Sequence, residues 1–351
     1  MNRVYTLVHR GLCFVALLSI GAAIVQAQET VTPSDSFNIV ATTTQAADIA
    51  HILTDGVDGI TITGLMGAGV DPHLYKPTES DIAAMNDADM IIYSGLHLEG
   101  QFDEVFQALG EQNIQIYALS KPVKDAGYAI GGFTLSAELT NVDDPHFWFD
   151  PRNWELTTQD LADAFSAIDP DHADSYQANA EAYSAQLQAL YAWAQAGMIS
   201  VPEGQRYLVT SHDAFQYFGA AFGWQMTAIQ GISTAAEAGV GDVQGVVDFV
   251  IDNDIPVMFI ESSVSPATIN AVQAGVAAAG ATVRLGILPL YSDAMGNPGT
   301  FGGTYTGMIA ENVYIILQSY RCAGVAVTLP DWDTLVQPEP TAELLAVDCA
   351  S

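Results

Sequence analysis

Asp-Pro-His occurs twice in this chain, in GAGVDPHLYKPTESD (67–81) and in NVDDPHFWFDPRNW (141–154), and takes up two of only seven histidines. Proline fixes its own φ and drives the residue before it out of the helical region, so Asp-Pro-His reads as a stiff extended turn. Such a turn presents an imidazole from rigid backbone, which suits a metal ligand. Two more groups share this kind of placement. His212 directly follows the β-rich run YLVTS, and Asp293 follows ILPLYS. In α/β sheets, ligands collect where strands end and loops begin. His73, His146, His212 and Asp293 are therefore the candidate ligands. For any one histidine alone, satisfying loop backbone groups is the preferred reading, and only the repeated Asp-Pro-His context brings the two readings level.

Three imidazoles and one carboxylate are borderline donors suited to zinc, and the Irving–Williams order places zinc well above manganese at such a set. A catalytic zinc keeps one position open for water, whereas four protein donors close the site. The chain also lacks HExxH or a comparable pairing with a general base, which sets a metallohydrolase well behind a metal carrier.

The remaining histidines carry less. His9 lies in the N-terminal apolar segment, His51 in the helical run QAADIAHIL and His172 at the opening of a long helix, all three expected in solvent. His97, in GLHLEG, follows a strand and reads as structural, with support of a ligand as its second reading. A ligating histidine commonly gives its other N–H to a carboxylate, so Asp71, Asp144 and Glu261 are candidates for that role. For the two aspartates, turn capping before proline is the preferred reading. Phe147, Trp148 and Trp224 are expected to pack between lobes.

Around these residues, short β-rich runs alternate with amphipathic segments. FNIVATTT (37–44), ITITGLM (60–66), MIIYSG (90–95) and IQIYALS (114–120) form one set of predicted strands, with a helix over 78–88 among them. A second set comprises RYLVTS (206–211), WQMTAIQ (224–230), VMFIES (257–262) and TVRLGILPL (282–290). Alternation of this kind predicts parallel βαβ units in two lobes. Between the sets, residues 170–197 predict one helix, with Asp169 as N-cap, Pro170 at its first position and Gly197 at its end. Tyr176, Ala180, Tyr183, Leu187, Leu190 and Ala194 recur at helical spacing as its apolar face. The fold class is thus α/β, two lobes joined by a single long rigid helix.

Residues 1–27 read as a secretory signal peptide, with Arg3 and Arg10 ahead of a short apolar run and cleavage expected after Ala27. Arg10-Gly11-Leu12 supplies none of the small residues that lipidation at Cys13 needs. Boundaries follow: polar leader 28–36, first lobe 37–168, connector 169–202, second lobe 203–325, tail 326–351. Losing two arginines leaves seven basic residues against 41 acids, a formal net charge of −34, which makes nucleic acid an improbable partner. Cys322 and Cys349 remain, and an oxidising exported location favours their pairing.

The runs VDPHLYKPTESD, GLHLEG, DPHFWFDPRN, TSHDAFQYFGAAFGW, IQGIST, ESSVSP and YSDAMG, in order across residues 37 to 320, resemble those of the metal-binding receptors of zinc/manganese ABC importers, the TroA-like cluster A-I solute-binding proteins. The resemblance implies two α/β lobes on a rigid helix and one divalent ion in the cleft, carried over here onto His73, His146, His212 and Asp293. It implies a periplasmic or otherwise secreted monomer that delivers zinc first, and manganese next, to an ABC permease and its ATPase. Residues 121–144 hold no histidine where zinc-specific relatives often carry a His-rich loop, while manganese-specific relatives usually have Glu at the place of His212. An adhesin on the same scaffold is the second reading, and the missing lipid-anchor cysteine favours a freely diffusing carrier.

Overall fold

The computed structural model describes residues 36–112, 114–137, 139–332, 344 and 349. The expected signal peptide, its cleavage site, the polar leader up to Asp35 and most of the tail lie outside the described residues. The first lobe runs β1 (Phe37–Ala41), α1 (Thr44–Leu53), β2 (Ile60–Gly64), α2 (Glu79–Asn86), β3 (Met90–Tyr93), α3 (Asp103–Gly110), β4 (Gln115–Ala118) and α4 (Lys121–Asp125). Its four strands are parallel in the order β2-β1-β3-β4. An antiparallel hairpin, β5 (Gly131–Thr134) with β6 (Thr140–Asp143), follows and was not signalled by the sequence.

Two long helices come next, α5 (Pro151–Ile168) and α6 (Ala173–Met198). The face predicted for the connector is the face α6 buries: Tyr176, Ala180, Tyr183, Leu187, Leu190 and Ala194 all lie in the core. Both predicted ends need correcting. Residues 170–172 tighten into a 3₁₀ turn with Asp169 as its N-cap and Pro170 at its first position, as predicted, but the α-helix itself starts only at Ala173, and Asp169 also closes α5. The Asp169 carboxylate accepts from His172 Nδ1 (2.7 Å) and from Tyr176 Oη (2.6 Å). At the other end, α6 runs through Gly197, which is a packing residue and not a cap: a Cβ there would lie 2.7 Å from Leu317 Cδ1. With 26 residues α6 is about 39 Å long.

The second lobe holds β7 (Tyr207–His212), α7 (Gln216–Phe222), β8 (Gln225–Gln230), α8 (Val240–Asp252), β9 (Val257–Met258), α9 (Ala267–Ala278), β10 (Arg284–Leu285) and α10 (Tyr305–Cys322). β7 pairs with β8 and β9 with β10, both parallel, and Phe259 N donates to Val209 O (2.8 Å) to lay β9 beside β7. The order β8-β7-β9-β10 repeats that of the first lobe. The last two strands are shorter than predicted because Pro289 has no N–H to give and Ile287 N donates instead to Ser319 Oγ (3.0 Å) on α10. Regular pairing resumes only at Leu290, bridged to Glu261.

The lobes are braced to one another. Tyr305 N, at the first position of α10, donates to Asp48 Oδ2 on α1 (3.0 Å), and Tyr305 Oη donates to Trp148 O (2.7 Å) while its ring stacks on Trp154 at 4.8 Å. Phe147 and Trp148 are fully buried in this shared core, as expected. Trp224 is not between lobes; it packs edge-on against Tyr320 and donates to Met198 O at the end of α6 (3.2 Å).

Cys322, the last residue of α10, is bonded to Cys349. A sequence separation of 27 corresponds to about 3–4 kcal/mol in the chain-entropy account of crosslinks. Cys349→Ser is therefore expected to lower the thermal midpoint by several degrees under non-reducing conditions. An unchanged midpoint in differential scanning calorimetry would show that closing this loop adds no stability.

Candidate metal centre

The two Asp-Pro-His turns share one backbone device. Asp71 Oδ1 accepts from His73 N and Asp144 Oδ1 accepts from His146 N, each at 2.9 Å, so each aspartate caps the histidine two residues on. The turns then part company. Asp144 Oδ1 also lies 2.7 Å from His146 Nδ1, with both side chains fully buried. Turn capping alone therefore undersells Asp144, which fixes the tautomer and direction of the ring. Asp71 sends its second oxygen across the cleft, accepting from Thr234 Oγ1 at 2.6 Å. It caps a turn, as preferred, and ties the lobes as well.

His212 ends β7, and its main-chain N donates to Glu261 Oε1 (2.8 Å) while Nδ1 lies 2.5 Å from Glu261 Oε2. β7 and β9 flank the point where the strand order reverses, which is where α/β sheets place ligands. Asp293 is held by groups that sequence reasoning missed. Ser263 Oγ donates to Asp293 Oδ2 (2.8 Å), Gln45 Nε2 on α1 donates to Asp293 O (3.1 Å), and Met295 N donates to Thr44 Oγ1 (2.9 Å). Ser263 lies in the noted run ESSVSP, but nothing local to Gln45 signals a contact 248 positions away.

The structure brings all four predicted residues together, buried, with one donor atom from each and all donors within 4.8 Å of one another. His73 Nε2 is 3.4 Å from His146 Nε2, and Asp293 Oδ1 is 3.3 Å from His146 Nε2, 3.2 Å from His212 Nε2 and 4.0 Å from His73 Nε2. A tetrahedral ion with bonds of about 2.0–2.1 Å keeps its donors about 3.3–3.4 Å apart, so three of these four edges already fit. His51 and His172 take no part; His51 is exposed on α1. His97 makes no contact with the four and pairs instead with Asp103.

Electrostatics follow from burial and partners. Burial works against a charged His146, but Asp144 and then Asp293 outweigh it and hold the imidazole up at about 9. His212 is likewise raised well above its ordinary value, with burial opposed by Asp293 and Glu261. His73 has no carboxylate on Nδ1, and burial brings it down to about 3. Burial would lift Asp293, yet His212 foremost keeps its carboxyl well below the usual range.

Two α/β lobes on one long helix, with a buried three-histidine, one-carboxylate donor set between them, define a solute-binding protein for a metal ion. Residues 39–319 match the family described as zinc-uptake complex component A periplasmic, and the chain belongs to that family. It is 40% identical over 283 residues to the manganese-binding lipoprotein MntA of Bacillus subtilis, covering 81% of this chain and 89% of that one. It is 36% identical over 280 residues to the zinc-binding protein TroA of Treponema pallidum, covering 80% and 87% respectively. The solved structure of the periplasmic zinc-binding TroA from Treponema pallidum superposes with a TM-score of 0.74 over 81% of this chain and 99% of that one, at 36% identity. The family is one of solute-binding proteins, not of enzymes.

Two outcomes are expected. Between pH 6.5 and about 9 the folded apo site keeps protons on His146 and His212 that coordination must remove, so affinity should climb with pH. Zn²⁺ binding at pH 7 should release about two protons, read by calorimetry in buffers of different ionisation enthalpy; no release would contradict this proton bookkeeping. Separately, Asp144→Asn should weaken Zn²⁺ about 10–100-fold, the usual cost of losing a carboxylate behind a ligating imidazole. Asp71→Asn keeps the turn-capping oxygen and touches no ring, so its loss should be clearly smaller in the same titration.

Proposed function

We propose that this chain captures one divalent transition-metal ion, zinc ahead of manganese, on His73, His146, His212 and Asp293, and hands it to an ABC permease and its ATPase outside the cytoplasm. It works as a monomer after cleavage near Ala27. The observation that supports this reading is the convergence of four buried donors, two from each lobe, within 4.8 Å of one another. Four protein donors leave no place for a substrate water, so the site stores an ion instead of activating one.

The two relatives compared above are named for manganese and for zinc, so the donor set must decide. Manganese favours more oxygen donors and a larger coordination shell. Here three of four donors are imidazoles, and Ser263 engages Asp293 Oδ2, leaving Oδ1 to face the cluster. A one-oxygen aspartate with three nitrogens is a four-coordinate set, and zinc fits it best.

Among the described residues no helix is long and apolar enough to cross a membrane. That agrees with a receptor that meets its permease at the membrane surface. An adhesin would need no buried closed metal site, and nothing in the geometry favours that second reading.

His212 offers the most direct test. His212→Glu supplies a harder donor able to bind through two oxygens, so the preference for Zn²⁺ over Mn²⁺ should shrink. His212→Ala removes a ligand without replacement and should weaken both ions by more than the ~10–100-fold that loss of a supporting carboxylate costs. Competitive calorimetric titration of the chelator-stripped proteins reads both. Wild-type zinc affinity in His212→Ala would falsify the four-residue site.

A further inference from the structure

Of the three imidazoles in the centre, His73 is set apart twice over. It is 4% exposed where His146 and His212 are fully buried, and no carboxylate among the described residues lies against its Nδ1, whereas Nδ1 of His146 faces Asp144 and that of His212 faces Glu261. It also forms the inner wall of a cavity of about 330 Å³ that opens between the lobes, with Thr134 and Ser136 of the first lobe and Ser233 of the second on its walls. His146, His212 and Asp293 do not line this space. An ion reaching the buried donors through it meets His73 first.

His97 and Asp103 line the same cavity and are far more exposed than His73. Their facing atoms, His97 Nδ1 and Asp103 Oδ2, are 3.6 Å apart, and the side chains are 43% and 60% exposed. That spacing is a few tenths of an ångström beyond the separation of about 3.3–3.4 Å between two donors on one tetrahedral zinc, within reach of a small side-chain rotation. The backbone that carries the imidazole is unusual. Gly95, Leu96 and His97 are all left-handed, with φ of 88°, 52° and 67°, a region that non-glycine residues enter rarely. The conformation is imposed from within by Glu99, whose buried carboxylate accepts from Ser94 N (2.8 Å), Gly95 N (3.1 Å) and Thr42 Oγ1 (2.7 Å). Backbone strain maintained at this expense turns His97 toward the cavity wall, where an ordinary solvent-facing histidine would need no such support.

We infer that His97 and Asp103 form an outer, weaker docking point for the divalent ion, from which it passes along the cavity to His73. This rests on the reading of the buried centre as the metal store. Two protein donors and water suit a site that must let go, whereas the four inner donors suit one that holds. The acidic surface adds a general attraction for cations, and the paired donors localise it on the wall of the cavity that His73 also lines.

A docking point on the entry path speeds loading and unloading alike and leaves the equilibrium affinity of the inner site untouched. The variant of choice is His97→Asn, because asparagine tolerates the left-handed backbone and so keeps the turn while removing the imidazole. Zn²⁺ uptake by the stripped, full-length protein can be followed in stopped flow through tryptophan fluorescence, Trp148 lying edge-on to His146 at 5.3 Å. The expected result is an association rate lower by about 3- to 10-fold, a dissociation rate lower by the same factor, and an unchanged Kd. Calorimetry with excess Zn²⁺ should show a second, weaker event in the wild type that is missing in His97→Asn and in Asp103→Asn. Wild-type rates with the weak event intact overturn the proposal, and so does a weakened Kd at an unchanged association rate, which would make His97 a support of the fold. His146→Ala tests the buried centre separately: if it keeps the tight event, the proposed function fails whatever His97 does.

Discussion

Three carboxyl groups and three imidazoles share one buried volume in this protein, and that concentration of charge-bearing groups sets the terms for everything around it. Asp144, Glu261 and Asp293 are each at most 2% exposed, as far from water as the apolar core. Charge in such a place is tolerated only when paired and hydrogen-bonded. Protons on His146 and His212 can serve, and so can a divalent cation on the faces of the same rings. Because two protons and one such ion carry equal charge, exchanging them leaves the net charge of the buried cluster unchanged. The site can therefore stay closed around either occupant without leaving its buried carboxylates uncompensated.

Holding six such groups in register requires rigid supports, and the fold draws them from every side. The hairpin β5–β6 delivers Asp144 through Asp144 N to Ile130 O (2.7 Å), and Tyr217 on α7 clamps the same segment by accepting from Ile130 N and donating to Asp144 O, both at 3.0 Å. Asn312 on α10 grips Tyr291 by both its N–H and its carbonyl, two residues ahead of Asp293. Gln45 and Thr44 reach the Asp293 loop from the opposite lobe. These ties cross the cleft, so neither lobe can swing away from the other without breaking hydrogen bonds at the centre itself. A long α6 and these bonds across the cleft thus make opening the lobes costly.

How much of this the sequence disclosed depended on the range of the interaction involved. All four strands of the first lobe were readable to within a few residues, since each is a compact apolar run bounded by turn signals. β9 and β10 were overextended because the runs VMFIES and TVRLGILPL stay apolar after their ladder has ended, the pairing being interrupted by Pro289 and by the bond from Ile287 to Ser319. The four donors were legible because stiff turns and strand ends are local features. The distinction between Asp71 and Asp144 was not, because it lies in the partner: a ring two residues away for one, and Thr234 on the other lobe, 163 positions along, for the other. The start of α6 was misread since Asp-Pro is both a good helix opening and a good 3₁₀ turn, and only packing against α5 chooses between them.

On the proposed reading, the uneven support of the four candidate donors also explains how a closed site would give up its ion. His146 and His212 each have a carboxylate behind the ring, and Asp293 has Ser263 on its second oxygen. His73 has only a capped main-chain N–H and the Asp71–Thr234 tie, and it alone faces the open cavity. Rotating its ring costs no buried carboxylate contact at Nδ1, whereas moving any of the other three donors would strand a buried polar partner. In the proposed site the first bond to break would then be the one nearest the cavity, and breaking it would convert a closed four-donor site into a three-donor site with an open position. Leaving one ligand out of four unsupported would reconcile tight storage with release through a braced scaffold.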